Sequence, residues 1–183
     1  MPAAPTVLIT GCSSGIGLAM LQDQGLTPLH LDVSDAESVR ACAAACSDRV
    51  TGLVNNAGFG QPGALEDLSR EAMRRQFETN VFGLQELTNA LLPGMIERKS
   101  GRIVHVSSVV GRVALPFLGI YSASKFAVEA LADSQALDLH KPLKPSKALQ
   151  VVYDEIRSKS APLKEDRSLH PDIEALSEEI LNG

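Results

Sequence analysis

The chain contains no tryptophan, and aromatic residues make up only 4% of its 183 positions. Platforms on which successive nucleic-acid bases could stack are therefore missing. Positive charge is not in excess either: 17 Lys+Arg stand against 22 Asp+Glu, a formal net charge of −5. That balance disfavours nucleic acid or an anionic membrane as the main partner. Cysteine is scarce, with Cys12, Cys42 and Cys46 forming no CxxC pair. The count and spacing argue against a disulfide framework and against a zinc site, so no metal is expected and a reducing cytoplasm is the expected location. Cys42 and Cys46 can share one helix face, where they read as small packing residues. No apolar run approaches the roughly 20 residues a membrane-spanning helix requires. The opening MPAAPTVLITG has no basic stretch leading into an apolar core and cleavage site, so no secretory signal is expected.

What is present is an ordinary globular composition, 44% hydrophobic and 21% charged, at a length that suits one domain. Short apolar runs alternate with helical patterns, the signature of a parallel sheet covered by helices. Strands are predicted at residues 6–10, 28–33, 50–54, 101–107 and 148–153. Helices are predicted from a capping-box start at Ser34 to about Ser47, from the cap Ser69 through 70–79, at 83–98, at 121–140 and at 171–181. In the 83–98 helix Leu84, Leu87, Leu91 and Met95 form one stripe. In the last helix Ile173, Leu176 and Ile180 do the same, with Pro171 in its first turn. The loop Lys141-Pro-Leu-Lys-Pro-Ser-Lys147 reads as a solvated connection.

Two constellations carry chemistry. Thr10-Gly11-Cys12-Ser13-Ser14-Gly15-Ile16-Gly17 directly follows the first strand and opens a helix. Glycines there let main-chain amides approach a pyrophosphate, and a helix N-terminus supplies oriented N–H groups. The spacing is GxxxGxG rather than GxGxxG, so the dinucleotide fingerprint fits in mechanism but not in letter. A tight strand–helix turn would read the same way. The second constellation is Tyr121-Ser122-Ala123-Ser124-Lys125, which puts a phenol and an ammonium on one helix face. A free phenol has a pKa of about 10, and a neighbouring ammonium favours the phenolate. Such a pair suits proton transfer to a ketone or from an alcohol. Ser107-Ser108 ends a strand shortly upstream.

Together, TGCSSGIG, NNAG and YSASK, in that order, resemble the short-chain dehydrogenase/reductase family. The resemblance implies a three-layer, doubly wound, mostly parallel Rossmann-like α/β fold. It implies Tyr121 as catalytic acid/base, Lys125 as the residue that lowers its pKa and holds the nicotinamide ribose, and Ser108 as the hydrogen bonder of the substrate carbonyl. Asn80, in NVFG, would complete the tetrad by holding a water next to Lys125. Gly11, Ser13, Ser14, Gly15, Ile16 and Gly17 would bind the pyrophosphate of NADP(H) or NAD(H). Asp32 and Val33 would contact adenine, and Asn56, Ala57 and Gly58 would line the cofactor. The substrate would be a small carbonyl or alcohol compound, by analogy a hydrophobic one, and the chain would pair as a homodimer through the helices at 83–98 and 121–139.

The sequence also departs from the family. Only 21 residues separate Gly11 from Asp32, so most of one helix and the family's second strand have no counterpart, and NAD versus NADP cannot be read. The segment 28–33 is therefore expected to pair directly beside the first strand. Val151-Val152-Tyr153-Asp154-Glu155 stands where the family has a Pro-Gly element, and the substrate helices after Ser158 have no recognisable equivalent. The expected organisation is a nucleotide-binding catalytic domain at 1–158 and a polar tail with a terminal helix at 159–183. The departures leave an alternative: a shortened member with impaired cofactor binding and a non-catalytic or interaction role.

Overall fold

The computed structural model describes residues 6–19 and 26–139. The described residues all belong to one compact unit, Met1–Leu139. The predicted strand at 148–153, the helix at 171–181 and the boundary at 158 lie outside them.

Three strands form a parallel sheet in the order β1 (Thr6–Ile9), β2 (Val50–Asn55), β3 (Arg102–His105). Their sequences are rich in Val, Ile and Leu, which pack well on a pleated surface. Ile9 pairs with Val54 and Val54 with Val104, while Leu8, Leu53 and Ile103 form the adjacent row. The register slips by one residue at the start of β2, where Thr51 is the extra residue of a bulge. Its hydroxyl accepts the Thr6 N–H at 3.2 Å.

One sheet face is covered by helices α2 (Ala36–Cys46) and α4 (Leu84–Glu97). The core between them holds Val39, Cys42, Cys46, Val50, Leu53, Leu87, Leu91 and Met95, with Leu8, Leu31 and Ile103 packed against it. The predicted stripe of α4 is therefore its buried face, and the two cysteines are core packing residues. Burial pushes the Cys42 thiol up to about 11, far from the reactive range.

Three boundaries differ from expectation. Residues 28–33 form no strand, and β1 has β2, not this segment, as its ladder neighbour. Pro28 has no N–H to give a ladder, residues 26–30 are exposed, and the chain already turns towards α2 at Asp32. There the Asp32 N–H donates to Ser38 Oγ at 2.9 Å and Asp32 Oδ1 accepts the Ser34 N–H at 2.9 Å. Only Leu31 and Val33 reach the interior. The cap of α2 is accordingly Asp35, whose carboxylate accepts the Glu37 N–H at 3.0 Å, rather than Ser34. Ser69 caps α3 (Arg70–Phe77) as predicted, accepting the Ala72 N–H. Between α3 and α4 there is no break: a π-helical turn, Glu78–Gly83, joins them. Gly83 is required in that turn, because a Cβ would collide with the Val33 carbonyl oxygen.

Among the described residues no helix is long and apolar enough to cross a membrane, and no group of three His, Cys, Asp or Glu side chains could hold a metal ion.

Candidate active site

The carboxyl ends of all three strands lie at one edge of the sheet, and the chemically notable segments leave from that edge. After β1 comes the glycine loop and the short helix α1 (Gly15–Ala19). Gly11 and Gly15 have φ of +70° and +58°, a region that favours glycine. The loop lies tight against the segment after β2: a Cβ on Gly11 would stand 2.7 Å from Ala57 Cα, and one on Gly17 would strike the Gly11 carbonyl. Ser13, Ser14, Gly15 and Ile16 face solvent, and the first N–H groups of a helix have no partner within it.

Thr10 joins these two segments. Its Oγ1 accepts the N–H groups of Asn56 (3.1 Å) and Ala57 (2.9 Å), and Asn56 Nδ2 donates back to the Thr10 carbonyl at 2.9 Å. The sequence places Thr10 at the end of the 6–10 strand and at the head of the glycine motif, and assigns it no role of its own. Its position at a strand end, one step before a glycine loop, was the signal.

After β3 the chain passes Ser108, whose Oγ accepts the Val110 N–H at 3.4 Å, and reaches α5 (Gly119–Leu139). Tyr121 and Lys125 stand one turn apart on α5, with the Lys125 Nζ 5.9 Å from the Tyr121 ring centroid. The lysine is 6% exposed and donates to the Val106 carbonyl at 2.7 Å. Burial lowers its pKa from the ordinary 10.5. The ammonium is thus fixed between the end of β3 and Gly58, on which a Cβ would lie 3.8 Å from Nζ.

Asn80 sits in the π-helical turn, a conformation that recurs at functional sites. It is buried, and its amide is committed to protein: Oδ1 accepts the Phe59 N–H at 3.0 Å, while Nδ2 donates to the Phe59 carbonyl (2.9 Å) and to Ser124 Oγ (3.1 Å). Ser124 Oγ in turn donates to the Tyr121 carbonyl at 2.7 Å. Asn80 therefore braces the segment after Gly58 against the helix that carries Tyr121 and Lys125. A second buried amide, Gln76, grips the same segment, and no local sequence pattern marks it. Asp32 and Val33 are bound locally: the Ser34 hydroxyl and N–H hold the Asp32 carboxyl below its usual range, and Val33 is buried beneath Gly83.

A parallel sheet whose strand ends carry a glycine loop, a serine and a Tyr–Lys helix turn is of the Rossmann-like α/β class. Similarity to known proteins narrows this class. The short chain dehydrogenase family matches residues 21–142. Human retinol dehydrogenase 8 is 42% identical over 173 residues, covering 76% of this chain and 56% of the relative. The uncharacterized oxidoreductase YbbO of Escherichia coli K12 is 38% identical over 169 residues, with 77% and 63% covered. Among solved structures, a short-chain dehydrogenase from Sphingobium yanoikuyae in complex with NADPH superposes with a TM-score of 0.67 at 28% identity, covering 74% of this chain and 66% of that one. The chain belongs to the short-chain dehydrogenase family. It spans 56% and 63% of the length of the two relatives named.

Proposed function

We propose that the chain is a nicotinamide-dependent oxidoreductase that interconverts a carbonyl and a secondary alcohol, with Tyr121 as the acid/base. The observation that carries this reading is the Tyr121–Lys125 turn, with a buried ammonium fixed 5.9 Å from the phenol ring at the sheet edge where the glycine loop also ends. The residues fit NADP(H) or NAD(H): the loop 11–17 offers free N–H groups and hydroxyls to a pyrophosphate, and Asn56–Gly58 and Lys125 lie between it and Tyr121. When bound, that group supplies or accepts the hydride. The chain's own part is proton transfer and orientation. Tyr121 gives its proton to the carbonyl oxygen in reduction and takes one from the hydroxyl in oxidation. Lys125 stabilises the phenolate electrostatically, and Ser108 donates a hydrogen bond to the reacting oxygen.

The exposed apolar rim supports an apolar substrate. Leu65, Val109, Val113, Leu115 and Phe117 are exposed by 46–79%, on the segments that precede Tyr121 and face it from Gly63. Phe117 has φ +61°, which is unusual for a bulky residue, and its carbonyl accepts the Gly63 N–H at 2.8 Å. Retinol, named for the human relative, is of this chemical kind. Homodimerisation through the outer faces of α4 and α5 belongs to the same reading.

A second reading, a non-catalytic member with weak cofactor binding, draws on one observation: residues 28–33 form no strand to support the adenosine side. Titration with NADPH and NADH separates the two. The first requires binding, turnover of an apolar ketone or alcohol, and loss of turnover by at least about a thousandfold in Tyr121→Phe with cofactor binding retained. Turnover surviving in that variant, or the absence of binding at millimolar cofactor, refutes it.

A further inference from the structure

Gln76 is fully buried in α3 and both ends of its amide are used on one short stretch of main chain. Its Oε1 accepts the Gln61 N–H at 2.7 Å, and its Nε2 donates to the Phe59 carbonyl at 2.7 Å. The residue between, Gly60, lies beside the Tyr121 ring: a Cβ placed on it would stand 3.4–3.6 Å from ring carbons Cδ1, Cγ and Cε1. Asn80 grips the same stretch, but only at Phe59. Gln76 is thus the side chain that grips both sides of Gly60.

We propose that Gln76 is a positioning residue for Tyr121: its amide fixes the Phe59–Gln61 main chain, and Gly60 between them forms the wall that sets the direction of the phenol. The proposal rests on the reading of Tyr121 as acid/base. The polarity of the clamp is defined, because exchanging the amide oxygen and nitrogen would set N–H against N–H at Gln61 and oxygen against oxygen at Phe59. A pure packing role needs only the volume of the side chain. The clamp needs one acceptor and one donor in this order, and that difference can be tested.

Two substitutions separate the roles. Gln76→Met keeps length and volume and removes both hydrogen bonds. Gln76→Glu reproduces the acceptor–donor pattern when its carboxyl is protonated, and opposes the Phe59 carbonyl when ionised. The chain has two tyrosines and no tryptophan, so in a Tyr153→Phe background ring-labelled tyrosine reports Tyr121 alone by NMR. With folding checked by circular dichroism, Gln76→Met is expected to shift or broaden the Tyr121 ring signal. It should lower kcat roughly ten- to a hundredfold while KM changes by less than about threefold. Gln76→Glu, expressed as a ratio to wild type at each pH, should recover both ring signal and kcat as the pH falls through its carboxyl pKa. A folded Gln76→Met with wild-type ring signal and kcat overturns the proposal, as does a pH-independent ratio for Gln76→Glu. If Gln76→Met does not fold, the Glu profile decides. The ring signal is read whether or not the wild-type chain turns over. An inactive wild type whose ring signal depends on Gln76 refutes the oxidoreductase reading and keeps the clamp, whereas an active wild type with an indifferent ring signal does the opposite.

Discussion

Replacing Thr10 by Val changes a single atom group at the joint between the glycine loop and the segment after β2. The side chain keeps its branched shape, so no cavity opens. What disappears is the acceptor for two N–H groups, those of Asn56 and Ala57, at a residue only 3% exposed. The Asn56 N–H keeps the Val54 carbonyl at 3.0 Å, so the donor left without a partner is that of Ala57, at a cost of about 1–3 kcal/mol. The Thr10 Oγ1 contact to the Val54 carbonyl is long, at 3.5 Å, and adds little. For a chain of this size each kcal/mol moves Tm by about 2–4 °C, so a fall of roughly 2–12 °C is expected. Thr10→Ser is the control: it keeps the acceptor and gives up one methyl, about 1 kcal/mol. The more apolar Val variant should thus be the less stable of the two, the reverse of a simple burial argument. Urea unfolding followed by circular dichroism, compared at equal m values, measures both. A Val variant as stable as the Ser variant would show that the hydroxyl does not hold the joint.

Two further outcomes follow from other parts of the fold. The ring of His105 is fixed between Asn55 Nδ2, 3.2 Å from Nδ1, and Gln135 Oε1, 3.2 Å from Nε2; the Asn55 amide also donates to Thr88 Oγ1 at 2.8 Å, so Nδ1 is the acceptor and the ring is neutral. Burial lowers its pKa from 6.5, so the unfolded chain takes up the proton first. Stability is therefore lost as pH falls below about 6.5, by at most about 1.4 kcal/mol per pH unit. Urea titrations between pH 8 and 5.5 should have this slope, and His105→Gln should remove that share of it; an unchanged slope would place the titrating group elsewhere. Gly83→Ala drives a methyl into the Val33 carbonyl and should cost about 1–3 kcal/mol or more by overpacking, read as a lowered Tm; a neutral result would mean that the π-helical turn yields freely.

The residues that could be read from the sequence are those whose local pattern decides their structure. The stripe Leu84, Leu87, Leu91, Met95 is the buried face of α4 because helical spacing alone sets which side chains share a face. Ser69 caps α3 because a serine before a polar helical run has few better uses. Tyr121 and Lys125 come together for the same reason, four positions apart on one helix. The failures have a common cause of another kind. The segment 28–33 has strand-like letters, but a strand exists only where a neighbour offers a ladder, and neighbours are a property of the sheet. The π-helical turn is similar: nothing in ETNVFG breaks or widens a helix by propensity, and it takes Val33 lying against Gly83 to make sense of it. Thr10 and Gln76 leave no signal of these bonds because their partners are main-chain atoms 46–47 and 15–17 residues away, which no pattern of side-chain types records.

The parallel order β1-β2-β3 has a consequence for how the chain is made. An antiparallel neighbour can follow a turn of two residues, but the ladder partner of Thr6–Ile9 begins at Val50. At a synthesis rate of about 5–20 residues per second, β1 waits roughly 2–9 s before that partner has been translated. Until then Val7, Leu8 and Ile9 are an apolar segment without the ladder partner that β2 supplies, and unpaired apolar strand sequence is the kind that associates wrongly. The segment synthesised during much of that wait, Asp32 to Asp48, is the one that forms α2, whose Val39, Cys42 and Cys46 later cover the same sheet.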